Sequence, residues 1–433
     1  MVRRSGISQC RRSSGRTADD RINSSFLVVR RLFSDRFDGS GRIIVERGSR
    51  CKDFALTVVY AVVTGGGTSG HVIPAIAICE LLVEAGHPVS DIRYVGSRRG
   101  VEQELMRSFE VAAEYLPISG LQRSWTIRGM ARNVLLPWRL LRSRILARGL
   151  LKLWSPGVVV SVGGYASEPM SRAALAAHVP LVCVSYDRIP GLATRRQAKR
   201  ATISAVAFEG SSLPRSVLTG APVREQLRGL DVSASRALSR SMLGISLDAR
   251  MVVVMGGSLG SGVLNSMVAD LLLEMAGTQS VVYHICGQRF ARDSMPHIPA
   301  GVQYVRVGYE DRMADVYSAL DVLVSRAGAS SVAEIATVGV AAVLIPWPDA
   351  ADGHQELNAR WLTDAGAGIL MDDAACVDGR AVAQVTQLLA DSDRVSIMAR
   401  TAYQLGAIHR STALVKAIEG AAHATVARGT MDD

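Results

Sequence analysis

The same local pattern opens both halves of this chain. In Tyr60–Glu80, YAVVTGGGTSGHVIPAIAICE, a short apolar run (Tyr60–Val63) precedes Gly65, Gly66 and Gly67, then Thr68, Ser69, Gly70, His71 and an amphipathic run. Met251–Met255 leads in the same way into Gly256-Gly257-Ser258-Leu259-Gly260-Ser261 and a helical run from Val263 to Met275. Each reads as buried strand, glycine turn, helix. The glycines let the backbone bend sharply and approach a ligand closely. The helix start offers unpaired N–H groups and the positive end of a dipole, which suits a diphosphate. Two such openings predict two Rossmann-like α/β domains facing each other across a cleft.

The runs between them agree. Ile92–Val95, Val158–Val162, Leu181–Val184 and Ala205–Phe208 read as strands in the first half, with Val101–Ser108 helical. Val281–Ile285, Gln303–Val307, Val322–Ser325 and Ala342–Pro346 read as strands in the second. Strands alternating with helices imply parallel sheets covered on both faces. A linker near Gly220–Gly244 divides an N-terminal domain over 57–225 from a C-terminal domain over 226–433, with a final helix free to pack back on the first domain. The fold is expected to begin at about Thr57.

Bulk properties narrow the class. No stretch approaches the ~20 uninterrupted apolar residues of a membrane span. The six cysteines (Cys10, Cys51, Cys79, Cys183, Cys286, Cys376) are scattered without a C-x-x-C pair, so they read as reduced thiols, not as a disulfide frame or zinc site. The net charge is +10, but 1–56 contains thirteen Lys/Arg and six Asp/Glu, or +7, which leaves +3 for the rest. The high charge is therefore poor support for nucleic-acid binding, and no nucleic-acid partner is expected. Residues 1–56 lack the apolar core of a secretory signal, and Asp19, Asp20, Asp35 and Asp38 argue against a transit peptide. They read as a disordered extension, or an upstream start that the fold does not need.

The glycine pattern alone leaves several readings open. Gly65, Gly67 and Gly70 satisfy G-x-G-x-x-G, but the strand at Ile92–Val95 ends in Gly96-Ser97-Arg98-Arg99, without the acid that holds a dinucleotide ribose. A Walker A loop needs Lys after Gly70, where His71 stands. A tight turn with no ligand also fits. In SRAGASSVAEIA (Ser325–Ala336) a strand ends at Ser325, Gly328 relaxes the turn, and Ser330 and Ser331 begin a helix on which a phosphate could rest. Glu334, one turn in, could accept from ribose hydroxyls or could be a solvated helical Glu. DAADGHQELN (Asp349–Asn358) brings His354, Gln355 and Asn358, suited to sugar hydroxyls or to an ordinary polar loop. Arg123–Lys152 holds eight basic residues and no acid, interleaved with Trp125, Trp138, Leu141 and Ile145. It reads either as ordinary surface helices or, preferably, as a face resting on anionic lipid.

Taken in order, GGGTSGHVIPA, VSVGGYAS, GAPVR, MGGSLGS, SRAGASSVAE and DGHQELNA resemble the successive motifs of the MurG family, glycosyltransferases that add N-acetylglucosamine to lipid I in peptidoglycan synthesis. The resemblance spans essentially the whole chain from Thr57. It implies a GT-B fold and inverting transfer from UDP-N-acetylglucosamine (UDP-GlcNAc) to the 4-hydroxyl of the N-acetylmuramoyl (MurNAc) sugar of lipid I, with no cofactor and no metal. It places the enzyme peripherally on the cytoplasmic face of the bacterial cell membrane, in agreement with Arg123–Lys152. By motif match, Ala329, Ser330, Ser331, Val332, Ala333 and Glu334 would take the diphosphate and ribose, with Glu334 on the ribose. Ser258 would contact phosphate and Arg224 would lie near the nucleotide. His354, Gln355 and Asn358 would meet the sugar, and Thr68, Ser69 and Gly70 would complete the donor site.

His71 is the candidate base for the acceptor hydroxyl, and Asp187 the second candidate, also within the donor-site set. One departure from the family pattern matters. Where the family reads His-Glu-x-Asn before Pro-Gly, this chain has Val184-Ser185-Tyr186-Asp187. An ionised Asp187 accepts hydrogen bonds but cannot donate one. That leaves as rivals a related GT-B transferase with another lipid acceptor and a UDP-sugar-binding membrane protein without turnover, with a dehydrogenase the weakest alternative.

Overall fold

The computed structural model describes residues 59–98, 102–120 and 136–429, and Thr57–Asp433 forms one compact unit. The readings of 1–56 and of residues 123–135 lie outside the described residues. Along the first half run β1 (Ala61–Thr64), α1 (Ser69–Glu84), β2 (Ile92–Ser97), the short α2 (Glu102–Leu105), β3 (Ala112–Leu116), α3 (Leu136–Trp154), β4 (Val158–Ser161), α4 (Glu168–Ala176), β5 (Leu181–Ser185), α5 (Leu192–Ala198), β6 (Ile203–Val206) and β7 (Ser216–Leu218). Next come α6 (Glu225–Arg228), α7 (Val232–Met242), β8 (Arg250–Met255), α8 (Gly262–Glu274), β9 (Ser280–Ile285), β10 (Val302–Val307), α9 (Met313–Ala319), β11 (Val322–Ser325), α10 (Ala329–Val338), β12 (Ala342–Leu344), α11 (His354–Thr363) and β13 (Gly368–Leu370). The chain closes with α12 (Asp373–Val377), α13 (Arg380–Ala390), α14 (Ser392–Leu405), α15 (Ala407–Arg410) and α16 (Ala413–Gly429).

The strands form two all-parallel sheets, β3-β2-β1-β4-β5-β6-β7 and β10-β9-β8-β11-β12-β13. In each, the first strand sits inside the sheet: Ala61 pairs with Ile92 and Val158, and Val252 with Val282 and Val322. The connections on either side of β1 and β8 therefore diverge to opposite faces. Ligands of open α/β sheets bind at this switch point, outside the carboxyl ends of the strands. Both glycine turns, after β1 and after β8, lie there. The central strands read AVVT, VVVS, LVCVS and VLVS and are buried throughout, as parallel strands covered on both faces must be.

The stretch Gly220–Gly244, where the linker is expected, contains α6 and α7, the latter capped by the Asp231 carboxylate, which accepts from Ala234 N at 3.0 Å. The helix at Val101–Ser108 is shorter, ending in a 3-10 turn from Met106. The final helix α16 packs on α1, β4, β5 and β6 of the first sheet, where His87 Nε2 lies 3.0 Å from Glu419.

Candidate functional site

The β1 turn is shaped from below. The Glu102 side chain is fully buried, and its Oε1 accepts from Gly67 N at 2.7 Å and from Ser97 Oγ at 3.0 Å. Gly67 has φ 101°, and a Cβ there would fall 2.5 Å from the Tyr165 ring, so both backbone and space demand glycine. Gly67 N–H is thus spent on protein.

Pro74 lies inside α1 and has no N–H, so Gly70 C=O loses its usual partner one turn on. The Tyr186 hydroxyl takes that place, donating to Gly70 O at 2.6 Å. This ties the loop after β5, where the sequence departs from the family pattern, to the glycine turn. His71 stands next to both. Its Nδ1 is 3.1 Å from Thr68 Oγ1, its ring meets Tyr186 edge-on at 6.4 Å, and its Cδ2 would lie 3.4 Å from a Cβ on Gly164. Burial lowers the His71 pKa, with the Asp187 charge opposing, so the imidazole is neutral at pH 7.

On the opposite side, α10 starts at Ala329 behind Gly328 with no side-chain cap. Its first-turn N–H groups are open, as a diphosphate would require. Ser330 and Ser331 are half-buried there, whereas Val332 and Ala333 are core residues. Glu334 is not the solvated helical Glu that the sequence also allowed. Tyr317 OH donates to its Oε2 at 3.0 Å. Burial pushes its pKa up to about 7, while the Tyr317 bond and the Arg224 charge pull the other way. Arg224 itself is anchored by α1: its Nε donates to Glu80 Oε1 at 2.6 Å, and Glu225 N donates to Glu80 Oε2 at 2.8 Å. Ser258 is exposed on the β8 turn.

On α11, His354 and Gln355 are half-buried, and Gln355 Oε1 accepts from Trp347 N at 2.9 Å, which orients its amide. Asn358 is fully buried and reaches the first domain, its Nδ2 3.1 Å from Asp187 Oδ1. The structure thus gathers Thr68, Ser69, Gly70, His71 and Asp187 on the first domain, and Arg224, held there by Glu80, lies near enough to Glu334 of the second for its charge to lower that carboxyl's pKa.

Sequence reasoning assigned no role to Glu80, Glu102, Tyr186 or Arg326. Glu80 carried a signal, a carboxylate inside the apolar run AIAICELL. Arg326 is a buried hub. It donates to Ser261 Oγ (2.8 Å from Nη2), Ile345 O (3.1 Å), Pro346 O (3.0 Å) and, through both terminal nitrogens, the Asp373 carboxylate. It joins the ends of β11 and β12 to the start of α8. Arg326→Lys keeps the charge but loses the planar fork, so chemical denaturation should show a loss of about 1–2 kcal/mol.

Known proteins resemble this chain over both halves. The Glycosyltransferase family 28 N-terminal domain matches residues 61–206 and the family 28 C-terminal domain matches residues 251–416. A UDP-N-acetylglucosamine--N-acetylmuramyl-(pentapeptide) pyrophosphoryl-undecaprenol N-acetylglucosamine transferase of Alcanivorax borkumensis is 36% identical over 71% of this chain and 84% of its own length. The transferase of the same name from a Nocardioides species is 36% identical over 79% of this chain and 92% of its own. Among solved structures, Acinetobacter baumannii MurG superposes with a TM-score of 0.59 at 24% identity, covering 80% of this chain and 95% of that one.

Proposed function

The chain belongs to the MurG family of the family 28 glycosyltransferases, and on that premise we propose how its two-sheet cleft handles the substrates. It has the GT-B fold. It is an N-acetylglucosamine transferase that uses UDP-GlcNAc and lipid I and forms lipid II. UDP-GlcNAc lies on the second sheet, its diphosphate at the open start of α10 and its ribose on Glu334. The single observation that carries this placement is Glu334, held by Tyr317 one turn behind the uncapped α10 N-terminus. Arg224, oriented by Glu80, faces the charge that builds on the leaving UDP. His354 and Gln355 meet the sugar. The MurNAc 4-hydroxyl attacks the anomeric carbon from the His71 side, giving inversion in a single displacement. Its proton passes to His71, and UDP leaves with the bonding pair.

Transfer of labelled N-acetylglucosamine from its UDP donor to a lipid I analogue, with and without chelator, tests this reading. Equal transfer in both arms is expected. Nucleotide-sugar binding without transfer would indicate another acceptor or lost catalysis, and absence of both would overturn the donor assignment.

The acceptor is a lipid, and α3 has the surface to meet its membrane. One face of α3 buries Ser143, Ala147, Leu150, Leu151 and Trp154. The other exposes Trp138 (67%), Leu141 (48%) and Ile145 (42%) beside exposed Arg142, Arg148 and Lys152. Arg195, Arg196 and Lys199 are exposed at α5, which packs on α4 as α3 does. Apolar side chains at helical spacing among cations fit anionic lipid. Among the described residues no helix is long and apolar enough to span a bilayer, so this contact lies in the interface. Trp138→Ala with Ile145→Ala should weaken binding to phosphatidylglycerol-containing vesicles about tenfold in co-sedimentation. Transfer to a water-soluble acceptor analogue should be unchanged.

A further inference from the structure

Asn358 bonds across the cleft to the loop after β5 as well as to the turn after β11. Its Oδ1 accepts from the Arg188 backbone N–H at 3.0 Å, which fixes the orientation of the amide. Nδ2 therefore donates, to Asp187 Oδ1 at 3.1 Å and toward Ala327 O at 3.4 Å. Asp187 and Arg188 belong to the loop after β5. Ala327 belongs to the turn after β11, directly before α10. One fully buried carboxamide thus joins the acceptor-side loop, the diphosphate turn and α11. Its neighbours reinforce the junction. Phe208 meets Trp361 of α11 edge-on at 5.1 Å, and the Arg188 guanidinium lies 5.6 Å from the Phe208 ring centre.

We propose that Asp187 and Asn358 are a cross-cleft positioning pair that sets the donor-sugar helix α11 against the acceptor loop. The proposal rests on the assignment of α11 to the donor side. Asp187 Oδ1 is engaged as an acceptor, and Asn358 has both ends of its amide engaged. The polarity of the pair follows from the residue at 187: an ionised carboxylate only accepts, so Asn358 must donate. The family's residue at that position, Asn, can also accept through its carbonyl. The substitution of Asp for Asn is thus compatible with the same contact.

A residue exchange tests the pair. Asp187→Asn alone should lower donor kcat/KM less than Asn358→Asp does, because an acceptor remains. Asn358→Asp places two carboxylates in contact at a buried point and should lower kcat/KM by about 10- to 100-fold. Combining both restores one donor facing one acceptor and should recover about tenfold of that loss. Thermal unfolding of the ligand-free variants should follow the same order, which tests the contact independently of the donor's identity. A double variant no better than Asn358→Asp in either measurement overturns the pair. Recovery in unfolding without recovery in kcat/KM reduces it to a structural tie and overturns the positioning role. Failure of the wild-type chain to bind UDP-GlcNAc, with coupling intact in unfolding, would instead sink the donor assignment and leave the contact standing.

Discussion

Replacing His71 with alanine lowers kcat for transfer to a lipid I analogue by about 10²- to 10⁴-fold, the range of a lost general base, and changes the donor KM little. The structure gives three reasons. The ring is fixed, with Nδ1 at 3.1 Å from Thr68 Oγ1 and the Gly163–Gly164 turn against its carbon edge. Burial keeps the imidazole pKa below its ordinary 6.5, so the side chain is unprotonated and able to take a proton at neutral pH. When Nδ1–H donates to Thr68, Nε2 is left bare as the basic atom. The rate should therefore fall on acidification only below pH 6.5, as the imidazole becomes charged. Thr68→Val, which removes the orienting partner, should lower kcat by about tenfold. Steady-state kinetics over pH 5–8 measure all of these. An alanine variant that retains wild-type kcat would assign His71 to holding the turn. Asp187→Asn separates the two candidate bases: a basic role for Asp187 requires a large loss of kcat there, which the contact with Asn358 argues against.

What the sequence disclosed and what it hid divide along a physical line. Ten strands were readable: nine lie inside a sheet, where parallel strands are largely apolar runs, and the tenth, Val302–Val307, is an edge strand that still carries three valines. Three were missed. Ala112–Leu116 and Ser216–Leu218 are edge strands, mostly or wholly outside the core, and Gly368–Leu370 is a half-buried edge of three residues. An edge strand needs less apolar surface and so writes a fainter pattern. The glycine turns were legible because φ above zero and close packing leave few alternatives to glycine. The contacts between residues far apart in sequence were not. Tyr186 meets Gly70, Glu80 meets Arg224 and Asn358 meets Asp187 over separations of 116, 144 and 171 residues. No local spacing encodes such pairs. Each had only a one-sided hint, such as Pro74 depriving Gly70 of its helical partner.

The second large effect is at Glu334. Glu334→Ala should raise the dissociation constant for UDP-GlcNAc by about 10- to 100-fold, the value of a charged hydrogen-bond acceptor lost to a bound ribose. Isothermal calorimetry reads it directly, and it also carries a pH signature. In the ligand-free chain the carboxyl pKa is about 7, raised by burial. Ribose hydroxyls donate best to the ionised form, so binding near pH 6 should release a proton. Affinity should improve by up to about tenfold per pH unit below 7 and level off above it. Stability runs the other way. Between the ordinary 4.5 and about 7 the folded chain holds a proton that the unfolded chain has lost, so this group's contribution to stability declines as pH rises through that window. Glu334→Gln should flatten both dependences. Tyr317→Phe should move the affinity curve to higher pH, because the Tyr317 hydroxyl stabilises the carboxylate. A pH-independent affinity in the wild-type chain would mean that the ribose does not rest on Glu334. Opposed slopes for affinity and stability would mean that the same burial that strains this carboxylate in the empty cleft is relieved by the donor's hydroxyls.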